Sequence, residues 1–528
     1  MPALNWIGKE KIVNHDKDVP FRLMRKNKKY SLGESENLIL EGDNLEALKA
    51  LMPFYYGKIK CIYIDPPYNT GNEKWVYNDR VNSPKIREWL GKVVGPEGED
   101  LTRHDKWLCM MYPRLKLLHD LLRKDGAIFV SIDENELTHL IKIMEEIFNY
   151  IDVIIWKKSG EGRYGKMKNV TTFRKDHEYI IVGSKSLETK FNKMWEFPGF
   201  VYEYNNPDND PRGPYKAGSI SRREDASDPH HKNYYTVTAP SGRKITRQWD
   251  LPVEDFKKFN KEKRLFWGKT GENVPAIKIF LNEKRFVTPY SVFLTKGNTT
   301  DAKEALRRIF NLREGVADIF PNPKPVELIK TLAQLTTDRN SIVLDSFAGS
   351  GTTAHAVLDL NKEDGGNRKF ILVELEKNIA KNITAERVKR VAKGYSYKTG
   401  KGKKVKVLGL GGGFEYVELG EPLFDKDGMI NKAVSFEDMA RYVYFTETRT
   451  NLEKKNIKGN YLGEFSGNHY FLLFDGIGKN ILNRKFAQEI KKIAGRKMVY
   501  ADKCLLYEEV LEKHQIIFKQ IPYAVKVY

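Results

Sequence analysis

An α/β fold with a largely parallel sheet and helices on both faces is what this sequence of 528 residues predicts. Three observations carry that prediction. Strand-like and helix-like segments alternate over much of the chain. Two short apolar strands, at 59–64 and 341–345, run into turns rich in proline or glycine. A third strand, at 370–374, ends in Glu374, about 23 residues after Gly351. In open sheets of this kind ligands bind beyond the carboxyl ends of the strands. Asp65, Asp345 and Glu374 are therefore expected along one edge.

Taken in order, residues 1–36 are basic and polar and read as an N-terminal arm. Residues 37–189 form the first half of the sheet domain. They start with a strand at 38–40, a short helix from Leu45 and the strand before Asp65. The polar stretch 75–106 has little pattern, and a loop that long is usually functional. Trp107, Met111, Leu115, Leu118 and Leu122 then recur at helical spacing. Gly126 is expected to stop that helix, with a buried strand at 127–132. Leu137, Ile141, Met144 and Phe148 mark a further helix, and 177–182 a further strand. These stripes are core positions and carry no assigned chemistry.

Residues 190–300 lose helical periodicity and interleave basic with aromatic side chains. Residues 301–395 resume the alternation with the strand ending at Asp345, the turn 346–353, a helix over 354–360 and the strand ending at Glu374. A basic, glycine-rich linker, including 409–413, then leads into a C-terminal α/β domain within 396–528.

Asp65-Pro66-Pro67-Tyr68 is the most informative segment. Proline holds φ near −65°, lacks an N–H and forces extended geometry on its neighbour. The Asp65 carboxylate and the Pro66 carbonyl can thus be two rigid acceptors at a strand end. An exocyclic amine, with two N–H donors, fits such a pair. Tyr68 supplies a flat face for the ring that bears the amine.

The second motif spans Asp345, Phe347, Gly349, Gly351 and Thr352. Strand, glycine turn and helix let backbone approach a ligand beside a helix N-terminus. Thr352 or Thr353 can cap that helix. Glu374 at the next strand end suits two ribose hydroxyls. The turn has too few glycines for a dinucleotide fingerprint and no lysine of a phosphate loop, so the expected ligand is a nucleoside without phosphates. Upstream, Lys324 in Asn322-Pro-Lys-Pro is expected at the same sheet edge, where it can pair a carboxylate.

Lysine and arginine number 90 against 70 aspartate and glutamate, a net charge of +20. That excess suits a polyanionic partner. Arg212, Lys216, Arg222, Arg223 and Arg247 fall in the basic–aromatic insertion and are candidates for DNA contact. The three cysteines, Cys61, Cys109 and Cys504, show no metal or disulfide spacing, so no metal is expected and a reducing cytoplasm is. No apolar run reaches the length of a membrane span, and the N-terminus does not read as a signal peptide.

Together the two motifs resemble those of S-adenosylmethionine-dependent DNA amino-methyltransferases. Their order, Asp-Pro-Pro-Tyr first and Asp-x-Phe-x-Gly-x-Gly about 280 residues later, is similar to that of the permuted beta class. Segments 41–46, 65–71, 124–133, 209–214, 322–325 and 499–503 resemble the modification subunit of type III restriction systems. The resemblance implies a Rossmann-like methyltransferase with an inserted target-recognition domain at 190–300. It implies S-adenosyl-L-methionine as cofactor, held by Lys324, Asp345, Phe347, Gly349, Gly351, Thr352 and Glu374. It implies catalysis by Asp65, Pro66, Pro67 and Tyr68 on a base flipped out of double-stranded DNA. A homodimer is also implied, together with a separate restriction subunit. Aspartate rather than serine before Pro-Pro-Tyr favours adenine N6 over cytosine N4. The chain is shorter than a typical type III modification subunit, so a stand-alone adenine-N6 or cytosine-N4 DNA methyltransferase is the alternative. A catalytically silent DNA-binding scaffold is the alternative from another class.

Overall fold

The structure is a computed structural model and describes residues 4–70, 91, 103–159, 173–196, 204–283, 285–312, 319–400, 402–425, 427–476 and 478–521. The expected loop at 75–106 lies almost entirely outside the described residues. The chain divides into a larger unit, Met1–Asn192 with Tyr290–Tyr528, and a smaller one, Lys193–Pro289.

The larger unit is built on a ten-stranded sheet. Its strands are β1 (Arg22–Lys26), β2 (Leu38–Glu41), β3 (Ile59–Ile64), β4 (Leu122–Ile132), β5 (Tyr150–Lys157), β6 (His177–Ser184), β7 (Val292–Phe293), β8 (Ile342–Asp345), β9 (Lys369–Glu374) and β10 (Glu415–Pro422). Their spatial order is β1-β10-β2-β9-β8-β3-β4-β6-β5-β7. Only β1 and β6 run against the others. The central strands are apolar along their length because helices cover both faces of such a sheet. Ile62, Ile128, Phe129, Val343, Leu344, Phe370 and Leu372 are buried.

Helices α1 (Asn44–Tyr55), α2 (Arg103–Leu121), α3 (Leu137–Ile147), α4 (Val326–Thr336) and α5 (Thr352–Asp364) connect these strands. The Asp43 side chain caps α1 by accepting from the amides of Leu45 and Glu46. Trp107, Met111, Leu115 and Leu118 of α2 are fully buried, as their spacing predicts.

Several boundaries differ from expectation. Residues 1–36 are not merely peripheral, because Trp6, Ile12 and Val19 join the main core and β1 pairs with β10. Apolar residues spaced among basic ones made that segment look solvated. Likewise 396–528 is not wholly separate, since β10 lies beside β2 in the main sheet. The remainder of that segment has its own four-stranded sheet and helix Phe436–Thr448 around Met439, Val443, Leu462 and Leu472. The strand expected from Ala127 begins at Leu122, so Gly126 sits inside β4 rather than ending a helix. The pairing of β3 with β4 shifts register there, and a strand glycine often marks such a bulge.

The smaller unit is mostly β. Tyr215–Ser219, Ala276–Phe280 and Leu265–Phe266 form one sheet, Tyr234–Thr238 pairs with Lys244–Gln248, and Met194–Glu196 pairs with Arg285–Val287. Val237, Ile245, Trp249, Phe256 and Trp267 make its core.

A Cβ on Gly126 would lie 2.8 Å from the Lys60 carbonyl and 3.0 Å from that of Ile59, both backbone atoms that cannot swing aside. Gly126→Ala is therefore expected to cost roughly 1–3 kcal/mol. Chemical denaturation that finds no loss would show that β3 and β4 can separate locally.

Candidate active site

The pairing of β8 with β3, Val343 opposite Cys61 and Leu344 opposite Ile62, sets the two motifs side by side. β9 pairs in parallel with β8. The carboxyl ends of β3, β8 and β9 thus bring Asp65, Asp345 and Glu374 to one edge. A cavity of about 970 Å³ lies at the other edge, near Asn37, Lys369 and Gly412, and takes no part in this constellation.

Asp65 directly follows β3. Both its oxygens accept from the Lys324 ammonium, at 2.6 and 2.7 Å. The Tyr68 hydroxyl donates to Asp65 Oδ1 at 2.8 Å and approaches Glu178 Oε2 at 3.1 Å. Lys324 Nζ also donates to the Tyr68 hydroxyl at 2.8 Å and stands 5.0 Å from the centre of the Tyr68 ring. Glu178, on β6, lies 3.5 Å from Lys324 and 3.4 Å from Lys158.

The electrostatics follow from burial and pairing. Burial pushes the Asp65 carboxyl up, with Lys324 pulling the other way. Burial also works against charge on Glu178, but Lys324 and Lys158 outweigh it and hold that carboxyl below its usual value. Lys324 is raised, because Asp65 and Glu178 more than offset its burial. Tyr68 is raised well above a free phenol by burial and by the two carboxylates, so it remains a donor.

The turn after Asp65 is braced from behind. Trp107 Nε1 donates to the Pro67 carbonyl at 2.7 Å. Among the described residues no donor takes the Pro66 carbonyl. Asn69 adopts a left-handed φ of 58° and donates to Glu136 and to the Arg103 carbonyl. His104 Nδ1 and His139 Nδ1 meet the two oxygens of buried Glu136 at 2.7 and 2.8 Å. These three groups are close enough to share a cation. Arg103 Nε, however, points at His104 Nε2. That leaves the His104 proton on Nδ1, facing Glu136, and the cluster reads as a hydrogen-bonded support for Asn69.

In the second motif the Phe347 amide donates to Asp345 Oδ1 at 3.0 Å and the Thr353 hydroxyl to Oδ2 at 2.5 Å. Gly349 N donates to Glu374 Oε2 at 2.8 Å and Glu376 N to Oε1 at 2.9 Å. The expected threonine cap is not observed. Gly351 occupies that position with φ of 78°, and no side chain caps the helix. Thr353 turns inward to Asp345 instead, and Thr352 donates to the Lys324 carbonyl at 3.2 Å. Lys324 thus touches the glycine turn through its backbone and Asp65 through its side chain.

Four further residues carry this arrangement without having been singled out. Glu178 is a lone carboxylate in an otherwise apolar strand, which was its only signal. Asn44 donates to the Ser346 carbonyl at 3.3 Å and accepts from buried Arg114. Arg387 is buried and donates to Ser350 Oγ at 2.9 Å and Thr352 Oγ1 at 2.8 Å. Trp107 looked like one member of a core stripe.

The basic candidates of the smaller unit separate into groups. Arg212 is exposed and also serves the unit's own structure. It forms a two-point ion pair with Asp210, at 2.8 and 2.7 Å, and packs 4.5 Å over Phe280. A nearby acidic side chain made the difference, and sequence spacing alone does not show it. Arg247 is half-buried and donates to the Arg222 carbonyl at 3.4 Å. Lys216, Arg222 and Arg223 are exposed.

With the geometry established, comparison with known proteins is decisive. The sequence profile of the N6/N4 methyltransferases, described as DNA methylase, matches residues 59–386. The chain belongs to that DNA methylase family. It is 32% identical over 384 residues to the Mod subunit of the type III restriction-modification enzyme StyLTI of Salmonella typhimurium, covering 70% of this chain and 56% of that protein. It is 29% identical over 429 residues to the EcoP15I Mod subunit of Escherichia coli, covering 71% of this chain and 64% of that one. It is 30% identical over 382 residues to the type II methyltransferase M.KpnI of Klebsiella pneumoniae, covering 67% of this chain and 84% of M.KpnI. The chain thus spans a little over half to about two thirds of these type III relatives. Among the described residues no helix is long and apolar enough to cross a membrane.

Burial pushes the Asp345 carboxyl up to about 7 from 3.8, against the Thr353 and Phe347 hydrogen bonds. A carboxyl whose folded value exceeds its unfolded one costs stability as pH rises between the two values. Asp345→Asn is expected to melt higher than wild type by an amount that grows from pH 4 to pH 7 and is flat above. Thermal melts across that range test this; a variant less stable at pH 8 would show that the two hydrogen bonds outweigh the buried charge.

Proposed function

We propose that this chain is a site-specific DNA methyltransferase that places a methyl group on N6 of an adenine flipped from duplex DNA. Its setting is the modification component of a type III restriction-modification system. The observation that carries the activity is the rigid turn at the end of β3. It presents the Asp65 carboxylate, the Pro66 carbonyl and the Tyr68 ring directly beside the glycine turn at the end of β8.

The cofactor inferred is S-adenosylmethionine, which supplies the methyl group when bound. The donor set suits it. The backbone of 347–351 and the edge formed by Asp345, Thr352 and Glu374 offer a carboxylate-lined turn at the start of α5, with no phosphate-binding lysine. Glu374 and Asp345 also hold the shape of that turn through their bonds to its amides.

Turning a base out of the stack costs a few kcal/mol. Stacking on Tyr68 returns roughly 1–3 kcal/mol of that. Asp65 and the Pro66 carbonyl accept the two N6 hydrogens, which aims the nitrogen lone pair toward the glycine turn. Asp65 also stabilises the positive charge that develops on N6. Because the turn is braced by Trp107 and Asn69, these acceptors need little reorganisation. The exposed Lys216, Arg222 and Arg223 of the smaller unit suit phosphate contacts. A homodimer, a separate restriction subunit and a cytoplasmic location complete this reading, supported by likeness to Mod subunits.

A second reading is a stand-alone methyltransferase. Coverage of 84% of M.KpnI favours it. Single-molecule sequencing of DNA from cells expressing the chain, beside an Asp65→Ala control, separates the two. N6-methyladenine on one strand of an asymmetric site supports the type III setting, and methylation of both strands of a palindrome supports the stand-alone enzyme. A mark indistinguishable from the control would overturn the activity.

Asp65→Ala is expected to lower methyl transfer at least about 100-fold while S-adenosylmethionine affinity stays within about threefold. Gly351→Asp is expected to do the reverse, weakening cofactor binding about tenfold or more. Its φ of 78° is strained for any side chain, and its Cβ would lie 3.2 Å from Thr384. Calorimetric titration with the cofactor checks both; unchanged affinity in Gly351→Asp would count against this placement.

A further inference from the structure

The Lys324 ammonium stands where the proposed substrate must go. Asp65 Oδ1 and Oδ2, the acceptors for an exocyclic amine, both bind it. The same ammonium binds the Tyr68 hydroxyl at 2.8 Å, at the edge of the ring on which a base would stack. An amine entering this site therefore has to displace a cation, and a buried cation needs a carboxylate to go to.

We propose that Lys324 guards the Asp65 acceptors and that Glu178 is the positioning residue that receives the Lys324 ammonium when an exocyclic amine engages Asp65. The inference rests on the methyltransferase reading above. The geometry supports it at three points. Glu178 Oε2 already lies 3.5 Å from Lys324 Nζ. A shift of about 0.7 Å brings that gap to the usual length of a charge-assisted bond. The Tyr68 hydroxyl spans both carboxylates, 2.8 Å from Asp65 and 3.1 Å from Glu178, so it can transfer its donation to Glu178 and clear Asp65 Oδ1 as well. Glu178 is held in its charged form by Lys324 and Lys158, and Lys158 on its other oxygen keeps the carboxylate aimed while the ammonium moves.

The transfer has a chemical purpose. Positive charge develops on N6 during the reaction, and an ammonium left on Asp65 would oppose it. Moving that ammonium to Glu178 frees the Asp65 oxygens to accept from N6 at the moment they are needed. No bond is made or broken in the handover, and no proton leaves Lys324.

The test is a double-variant cycle on the full chain, with duplex DNA carrying the site found by sequencing. Steady-state kcat and KM for DNA are measured for wild type, Glu178→Gln, Lys324→Ala and the double variant, with cofactor affinity and melting temperature alongside. Glu178→Gln is expected to lower kcat/KM for DNA about tenfold or more with cofactor affinity within about twofold. In the Lys324→Ala background the same change is expected to matter less than about twofold, because no ammonium then needs a receiver. Equal losses in both backgrounds, or none in either, would overturn the handover. If Glu178→Gln does not fold, Lys324→Ala alone decides. That variant should lower KM for DNA about threefold or more, since no ammonium then has to leave Asp65; an equal or higher KM overturns the proposal. Absence of methyl transfer by wild type would instead overturn the proposed function, which keeps the two failures apart.

Discussion

The parallel pairing of β3 with β8 is the constraint on which the rest of the site depends. It joins residues about 280 positions apart, Cys61 with Val343 and Ile62 with Leu344. Closing so long a loop costs roughly 5 kcal/mol by its logarithmic dependence on length. Burial of Ile62, Val343 and Leu344 offsets that, at roughly 1.5–3 kcal/mol for each fully buried aliphatic side chain. Once the strands are paired, Asp65 and Asp345 emerge side by side without further design. The order of the motifs along the chain then has no bearing on their proximity, which is why a permuted sequence can build the same edge.

The polar part of that edge obeys a different rule. Buried ion pairs add little net stability, since desolvation consumes most of the Coulomb gain, but they can define which arrangement is adopted. Here two lysines, Lys324 and Lys158, face two carboxylates, Asp65 and Glu178. The set is neutral as a whole. Moving one ammonium between the two carboxylates therefore strands no net charge in the interior. Two arrangements of similar energy are what a site needs if it must be fully paired alone and yet yield an acceptor to a substrate.

Much of this was legible in the sequence, and the misses have a common cause. Asp65, Tyr68, Gly351 and Glu374 lie at strand ends or turns, where local residue chemistry dictates local geometry. The parallel sheet was legible for the same reason, because uniformly apolar strands alternate with helical stripes. Glu178, Asn44 and Arg387 act through partners far off in the chain: Glu178 is 110 residues from Tyr68, Asn44 is 302 from Ser346 and Arg387 is 37 from Ser350. Nothing local marks such a residue except polarity in an apolar setting. Arg212 is exposed, as its charge suggests, and Asp210 two residues away also binds it on both oxygens, a pairing that charge alone does not announce. The arm at 1–36 was misread because a few well-spaced apolar residues outweigh many basic ones once a core is available.

The division of labour within Asp-Pro-Pro-Tyr explains why four residues suffice. Neither proline offers an N–H, so no amide of the turn between Asp65 and Tyr68 competes for the carboxylate. The two carbonyls then have separate fates. That of Pro67 is tied to Trp107, and that of Pro66 has no donor among the described residues. Tying one fixes the orientation of the other, because a proline peptide has little freedom left to rotate. The acceptor pair is thus rigid from its backbone side, and its remaining freedom lies in which cation or amine occupies it. On the proposed reading, Lys324, Tyr68 and Glu178 control that occupancy, and selectivity for an amine with two hydrogens would rest on competition between substrate and lysine rather than on motion of the turn.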